Sequence, residues 1–144
     1  MYTEKMEFLI VNSYMDWNFK DTDVHITFED QQRINNFAKH NAKFEDLKEE
    51  LKNKQNELRN LEDVVEELEL VDETEQIPFL VGEVFIYQDL ENTQKSIAAM
   101  KEKILLEIKD IEKRSVGISE AMSDLKTLLY AKFGNHINLE PEED

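Results

Sequence analysis

The chain has 144 residues, one domain's worth, with 40% hydrophobic and 35% charged residues. Its 33 acidic residues against 17 basic ones leave a net charge of −16, which repels nucleic acid and anionic membrane surfaces, so neither is expected as a partner. The absence of cysteine excludes disulfides and thiolate metal sites, and the presence of only three glycines and two prolines suits long solvated helices better than a layered fold.

Residues 1–23 mix Tyr2, Phe8, Tyr14, Trp17 and Phe19 with charges and show no sustained periodicity. They read as a loose N-terminal extension, with a short docking segment as the alternative. The apolar run Phe8–Val11 is too short for a signal-peptide core, and no run approaches the roughly 18 apolar residues of a membrane span. A cytoplasmic protein is expected, with nuclear residence left open.

A helix start is expected at Thr27, where the threonine can cap and Asp30, three residues on, is a short-armed capping-box partner; Glu29 adds first-turn negative charge. The following pattern predicts a helix over about 28–70. Phe37, His40, Phe44, Leu47, Leu51, Lys54, Leu58, Leu61, Val65 and Leu68 alternate in steps of three and four, with only His40 and Lys54 breaking the apolar seam. So narrow a stripe asks for a partner helix rather than a sheet.

The grammar then changes. Ile77-Pro78-Phe79-Leu80-Val81, Gly82-Glu83 and Val84-Phe85-Ile86-Tyr87 read as strand, two-residue turn and strand over about 77–87. Glycine at the first turn position suits type II′ geometry, and Pro78 restricts its strand to an edge or a strand start.

A second helix is expected over about 88–133. Leu90, Ile97, Ile104, Ile111, Ile118 and Leu125 repeat every seven residues, beside a patchier companion set of Gln94, Lys101, Ile108, Ser115, Met122 and Leu129. Gly117 inside it costs about 1 kcal/mol relative to alanine. Gly134, after Lys132 and Phe133, is the expected stop because glycine accepts a left-handed backbone. Residues 141–144 are an acidic tail.

These elements define an all-α dominated fold: a long antiparallel two-helix coiled coil with one β-hairpin at the connecting end, over residues 24–140. Each arm has roughly 43 residues and spans about 65 Å. In an antiparallel pairing, residues whose numbers total about 160 lie level. The apolar strands have no cover within such a chain, so Ile77, Phe79, Leu80, Val81, Val84, Phe85 and Ile86 are the expected assembly surface. At the other end, Phe28, Ile34 and Phe37 meet Leu129, Tyr130 and Phe133. Fraying there is expected to leave apolar side chains incompletely buried and open to a partner; the alternative is that they simply finish the coiled-coil core.

Catalytic chemistry has no foothold in this pattern. His25, His40 and His136 are scattered, and no metal-ligand spacing, phosphate loop or nucleophile elbow occurs. No metal, no cofactor and no enzymatic activity are expected. The rival to an assembly-forming chain is a structural or tethering coiled-coil adaptor. The heptads alone do not reject it, but a plain tether would more often turn through polar residues.

Several runs resemble the beta-class subunits of prefoldin. They are Val24-His25-Ile26-Thr27-Phe28-Glu29-Asp30-Gln31-Gln32-Arg33-Ile34-Asn35, Asn60-Leu61-Glu62-Asp63, Ile77-Pro78-Phe79 and Gly82-Glu83-Val84-Phe85-Ile86. Asp124-Leu125-Lys126, Leu129-Tyr130-Ala131-Lys132-Phe133-Gly134 and Ile137-Asn138-Leu139-Glu140 follow in the same order. The resemblance implies a heterohexamer of two alpha-type and four beta-type chains joined through hairpin barrels, with coiled coils hanging as tentacles. It further implies ATP-independent capture of unfolded actin, tubulin and other clients at the tentacle tips, and delivery to the cytosolic group II chaperonin. The six helix-end residues above would then be the client-binding tip. Residues 1–23 depart from the short polar start usual in that family.

Overall fold

The computed structural model describes residues 16–17 and 25–140. Its elements, in chain order, are β1 (Asp16–Trp17), α1 (Phe28–Leu68), β2 (Ile77–Val81), β3 (Val84–Gln88), α2 (Leu90–Phe133), a 3-10 turn (Gly134–His136) and β4 (Ile137–Asn138). Two long helices with an antiparallel hairpin between them are the fold class that the heptads and the strand grammar predict. The chain forms two compact units, one from residues up to Leu47 and from Arg114 onward, the other from Lys48–Lys113.

In the Lys48–Lys113 unit the interior follows the seam. Ile97, Ile104, Ile108, Ile111 and Leu68 are buried, with Leu51, Leu58, Leu61 and Leu90 half-buried around them. Two seam positions depart from expectation: Val65 and Gln94 are exposed. Thr93 is buried instead, because its hydroxyl donates to the Asp89 carbonyl at 2.8 Å, a satisfaction that a long amide such as Gln94 finds more readily in water. The lysine that interrupts the seam, Lys54, reaches across to Glu107 at 2.9 Å and along its own helix to Glu57 at 3.5 Å. Lys101 likewise reaches Glu62 at 3.6 Å. The residue numbers in each cross-helix pair total a little over 160, which is the antiparallel register expected. The hydrogen bond from Lys54 holds the Glu107 carboxyl below its ordinary range, and Glu107 holds Lys54 above its own.

The helix ends near the hairpin are fixed by local chemistry. α1 stops at Leu68 rather than near 70, where the amides of Leu70 and Val71 turn back to the Glu67 and Leu68 carbonyls. Asp72 then accepts from the Thr74 amide through its carboxylate and from the Glu75 amide through its carbonyl, an Asx-type turn. α2 starts at Leu90 rather than at 88, because Gln88 completes β3 opposite Ile77 and Asp89 supplies the cap. The Asn92 amide donates to the Asp89 carboxylate at 2.8 Å.

In the other unit, Ile34, Phe37, Ala38, Leu129, Phe133, Ile137 and Leu139 form one buried cluster, with Ile26, Met122, Leu125 and Tyr130 packed against it. α1 opens with the expected capping box: the Asp30 amide donates to the Thr27 hydroxyl at 3.2 Å and the Thr27 amide to the Asp30 carboxylate at 3.1 Å. Asp30 does more than cap. It is 1% exposed and is paired with Lys132 from the end of α2 and with Arg33 at 3.4 Å. Burial pushes the Asp30 carboxyl upward, but Lys132 together with the Thr27 amide and hydroxyl reverses this and leaves it below the usual carboxylate range. α2 passes through Gly117 without a break and ends at Phe133, where Gly134 takes φ +53°. β1 pairs antiparallel with β4, Asp16 opposite Asn138 and Trp17 opposite Ile137. The rest of the expected N-terminal extension, and the acidic tail 141–144, lie outside the described residues.

A carboxylate whose folded pKa is depressed stabilises the fold above its unfolded value, about 3.9, and loses that contribution as pH falls through the folded value. Asp30→Asn therefore lowers stability at neutral pH by about 1–2 kcal/mol, through the charge-assisted bonds to the helix start and Lys132. The gap from wild type narrows once the pH drops below about 4. Urea titrations of both proteins across that range measure it; a gap independent of pH would mean that the ionised form of Asp30 contributes nothing.

Candidate functional site

The hairpin is built for close turning. Val81 pairs with Val84 across a two-residue loop in which Gly82 has φ +62° and Glu83 stays at negative φ, the type II′ signature. Substituting Gly82 by any L-residue would place a side chain in the left-handed region. The register Ile77–Gln88, Pro78–Tyr87, Phe79–Ile86, Leu80–Phe85 and Val81–Val84 sorts the side chains by face. Ile77, Phe79, Val81, Val84 and Ile86 share one face; Pro78, Leu80, Phe85 and Tyr87 share the other.

Neither face is sealed. Ile77 and Phe79 are half-buried, but Leu80, Phe85 and Tyr87 are 53%, 65% and 69% exposed, and Val81, Val84 and Ile86 are exposed as well. Each strand has only the other as a ladder neighbour among the described residues, so each keeps an open edge. Clustered apolar side chains beside open backbone edges are the features that drive strand association. All seven residues singled out for assembly thus lie on one ribbon, and Tyr87 joins them.

The helix-end residues divide differently. Ile34, Phe37, Leu129 and Phe133 come together, as expected, but as interior: each is buried in the cluster. The expectation that fraying exposes them is overturned by the segment after Gly134, which turns back and inserts Ile137 and Leu139. Tyr130 is half-buried, and its hydroxyl accepts a hydrogen bond from the Leu139 amide at 2.9 Å, fastening that segment to α2. Lys126 pairs with Glu140 just beyond. Phe28 alone of the six is largely open, at 67%. Sequence reading missed Ile137 and Leu139 as core. Their signal was present in the alternation Ile137-Asn138-Leu139-Glu140, in which burial alternates with exposure.

Among the described residues no group of three His, Cys, Asp or Glu side chains could hold a metal ion. No described helix is long and apolar enough to cross a membrane. The shifted carboxyls, Asp30 and Glu107, each owe their shift to an ion pair that joins structural elements. What this arrangement can do chemically is bind other polypeptides through apolar surface and strand edges.

Comparison with known proteins agrees with this geometry. The family model described as "Prefoldin subunit" matches residues 31–136. A Drosophila melanogaster protein named probable prefoldin subunit 4 is 54% identical over 121 residues, covering 84% of this chain and 88% of the relative. Human prefoldin subunit 4 is 43% identical over 122 residues, covering 84% of this chain and 91% of the relative. The Saccharomyces cerevisiae prefoldin subunit 4 is 36% identical over 115 residues, covering 80% and 89%. With a family match across most of its length and relatives of this similarity, the chain belongs to the prefoldin subunit family.

Proposed function

We propose that this chain is a non-enzymatic, beta-type subunit of a heterohexameric co-chaperone that works without ATP. It assembles with sister alpha- and beta-type prefoldin subunits through β2 and β3. The complex holds unfolded or nascent proteins, actin and tubulin among them, and hands them to the cytosolic chaperonin. The cytoplasm is its compartment.

The observation that carries the reading is the incompletely covered hairpin. Leu80, Phe85 and Tyr87 face outward beside two open strand edges, and burying each large apolar side chain contributes about 1.5–3 kcal/mol. Surface of this kind favours an assembling subunit over a tether, which has no use for an apolar ribbon in its turn. Family membership supports the same assignment.

For client contact, exposure selects among the helix-end residues. Phe28 presents a large aromatic surface on the first turn of α1, whereas Ile34, Phe37, Leu129 and Phe133 maintain the cluster beneath. The half-buried Tyr130 combines both tasks, since part of its surface stays accessible and its hydroxyl anchors Leu139.

Two outcomes test this function. Val84→Asp with Ile86→Asp abolishes co-purification with sister subunits while the separated chain stays helical by circular dichroism; recovery of a normal hexamer would remove the basis of the assembly assignment. Phe28→Ser leaves thermal stability within about 0.5 kcal/mol of wild type yet weakens suppression of client aggregation, with the other subunits' helix ends altered alongside. Phe133→Ser, by contrast, costs about 3–5 kcal/mol because it opens the cluster. Equal stability loss in the two variants, or full suppression by Phe28→Ser, would reject this division of labour.

A further inference from the structure

The pairing of β1 with β4 has no role in the capping, seam or hairpin, and it points to a binding site. β4 is a two-residue strand in which Ile137, like Leu139 just after it, is buried in the apolar cluster while Asn138 between them is exposed. Its backbone is held over that cluster by the Leu139 amide on the Tyr130 hydroxyl and by the ion pair of Lys126 with Glu140. The result is a short strand with fixed orientation, and its edge takes up a second extended segment, Asp16–Trp17, in antiparallel register. That segment lies outside the residues 31–136 matched by the family model, whereas most of β4's support lies within it.

We propose that the β4 edge is a strand-addition site for an extended segment of an unfolded polypeptide, and that this chain's own Asp16–Trp17 strand is its resident occupant. The proposal rests on the client-holding function above and adds to it where and how a client segment docks. Strand addition needs only main-chain amides and carbonyls, so it accepts any extended sequence without proline at a bonding position. This is the tolerance required for binding many unfolded chains. The occupant's ladder spans only two residues, so a client strand of similar length exchanges the same hydrogen bonds for its own. A client segment gains further from apolar surface in the same unit, where Phe28 stands 67% exposed. The resident strand therefore competes with client and sets the fraction of open sites, which scales the apparent affinity.

The cysteine-free sequence permits a direct lock. Asp16 and Asn138 are Cα partners, and antiparallel partners at about 4.5–5.5 Å lie within disulfide range. Asp16→Cys with Asn138→Cys, in the full chain assembled with its sister subunits, is compared oxidised and reduced. The binding probe is fluorescent, reduced and carboxymethylated α-lactalbumin, which stays unfolded. The oxidised form is expected to bind roughly threefold or more weakly than the reduced form, with wild type insensitive to the same treatment. A second variant lacking residues 1–24 is expected to bind more tightly than wild type. Equal binding by oxidised and reduced forms, or weaker binding on deletion, overturns the proposal while leaving the chaperone function intact, provided that the wild-type complex binds the probe. A wild-type complex that fails to bind it overturns both.

Discussion

A pair of long helices with one narrow apolar stripe each can bury that stripe and little else. Every other feature of this chain answers to that constraint. The seam isoleucines of α2, Ile97, Ile104, Ile108 and Ile111, are buried, while the α1 seam leucines Leu51, Leu58 and Leu61 remain half-accessible. Two of the polar residues on this seam, Lys54 and Lys101, find partners across it in Glu107 and Glu62. These pairs are partly solvated, so their value is in register more than in stability. Shifting the pairing by one residue would separate opposite charges as well as misplace the stripe.

The same constraint explains why the ends of the stripe are so heavily furnished. A seam that stops leaves helix termini with unsatisfied backbone groups and apolar side chains facing water. In the unit containing the helix ends, Asp30 satisfies the start of α1 and grips Lys132 at the end of α2 with one carboxylate. The returning segment then covers Phe133 and Leu129 with Ile137 and Leu139. In the hairpin unit the opposite solution is found. The ribbon between the helices is given apolar side chains on both faces and only partial cover among the described residues, which suits a surface completed by other chains.

Exposed and core positions at the helix ends are drawn from the same residue types here, and only accessibility tells them apart. Phe28 and Phe133 are both aromatic and both occupy helix ends, yet one is open and the other forms cluster interior. The difference comes from geometry. Phe28 is the first helical residue, on the turn held by Thr27 and Asp30, whereas Phe133 is the last, at the point where Gly134 redirects the chain so that its own continuation closes over the ring. A residue's chemistry qualifies it for binding; its place relative to the next segment decides whether it is available.

The sequence by itself determined whatever depends on neighbours along the chain. The three-and-four spacing from Phe37 to Leu68, the sevenfold repeat of α2, the Thr27–Asp30 capping box, the Gly82 turn and the Gly134 stop were all legible, because helices, caps and tight turns are written in residues at most a few positions apart. The antiparallel register followed from equal arms and a short connector. Only the tertiary structure decided what depends on residues a hundred positions apart. The union of Asp30 with Lys132, the return of Ile137 and Leu139 onto Ile34 and Phe37, and the pairing of Asp16–Trp17 with Ile137–Asn138 leave no local periodicity that names the partner. The burial of four of the six helix-end residues belongs to that second class. Whether an apolar side chain is core or surface is set by what packs over it, and a linear pattern shows the side chain without its cover.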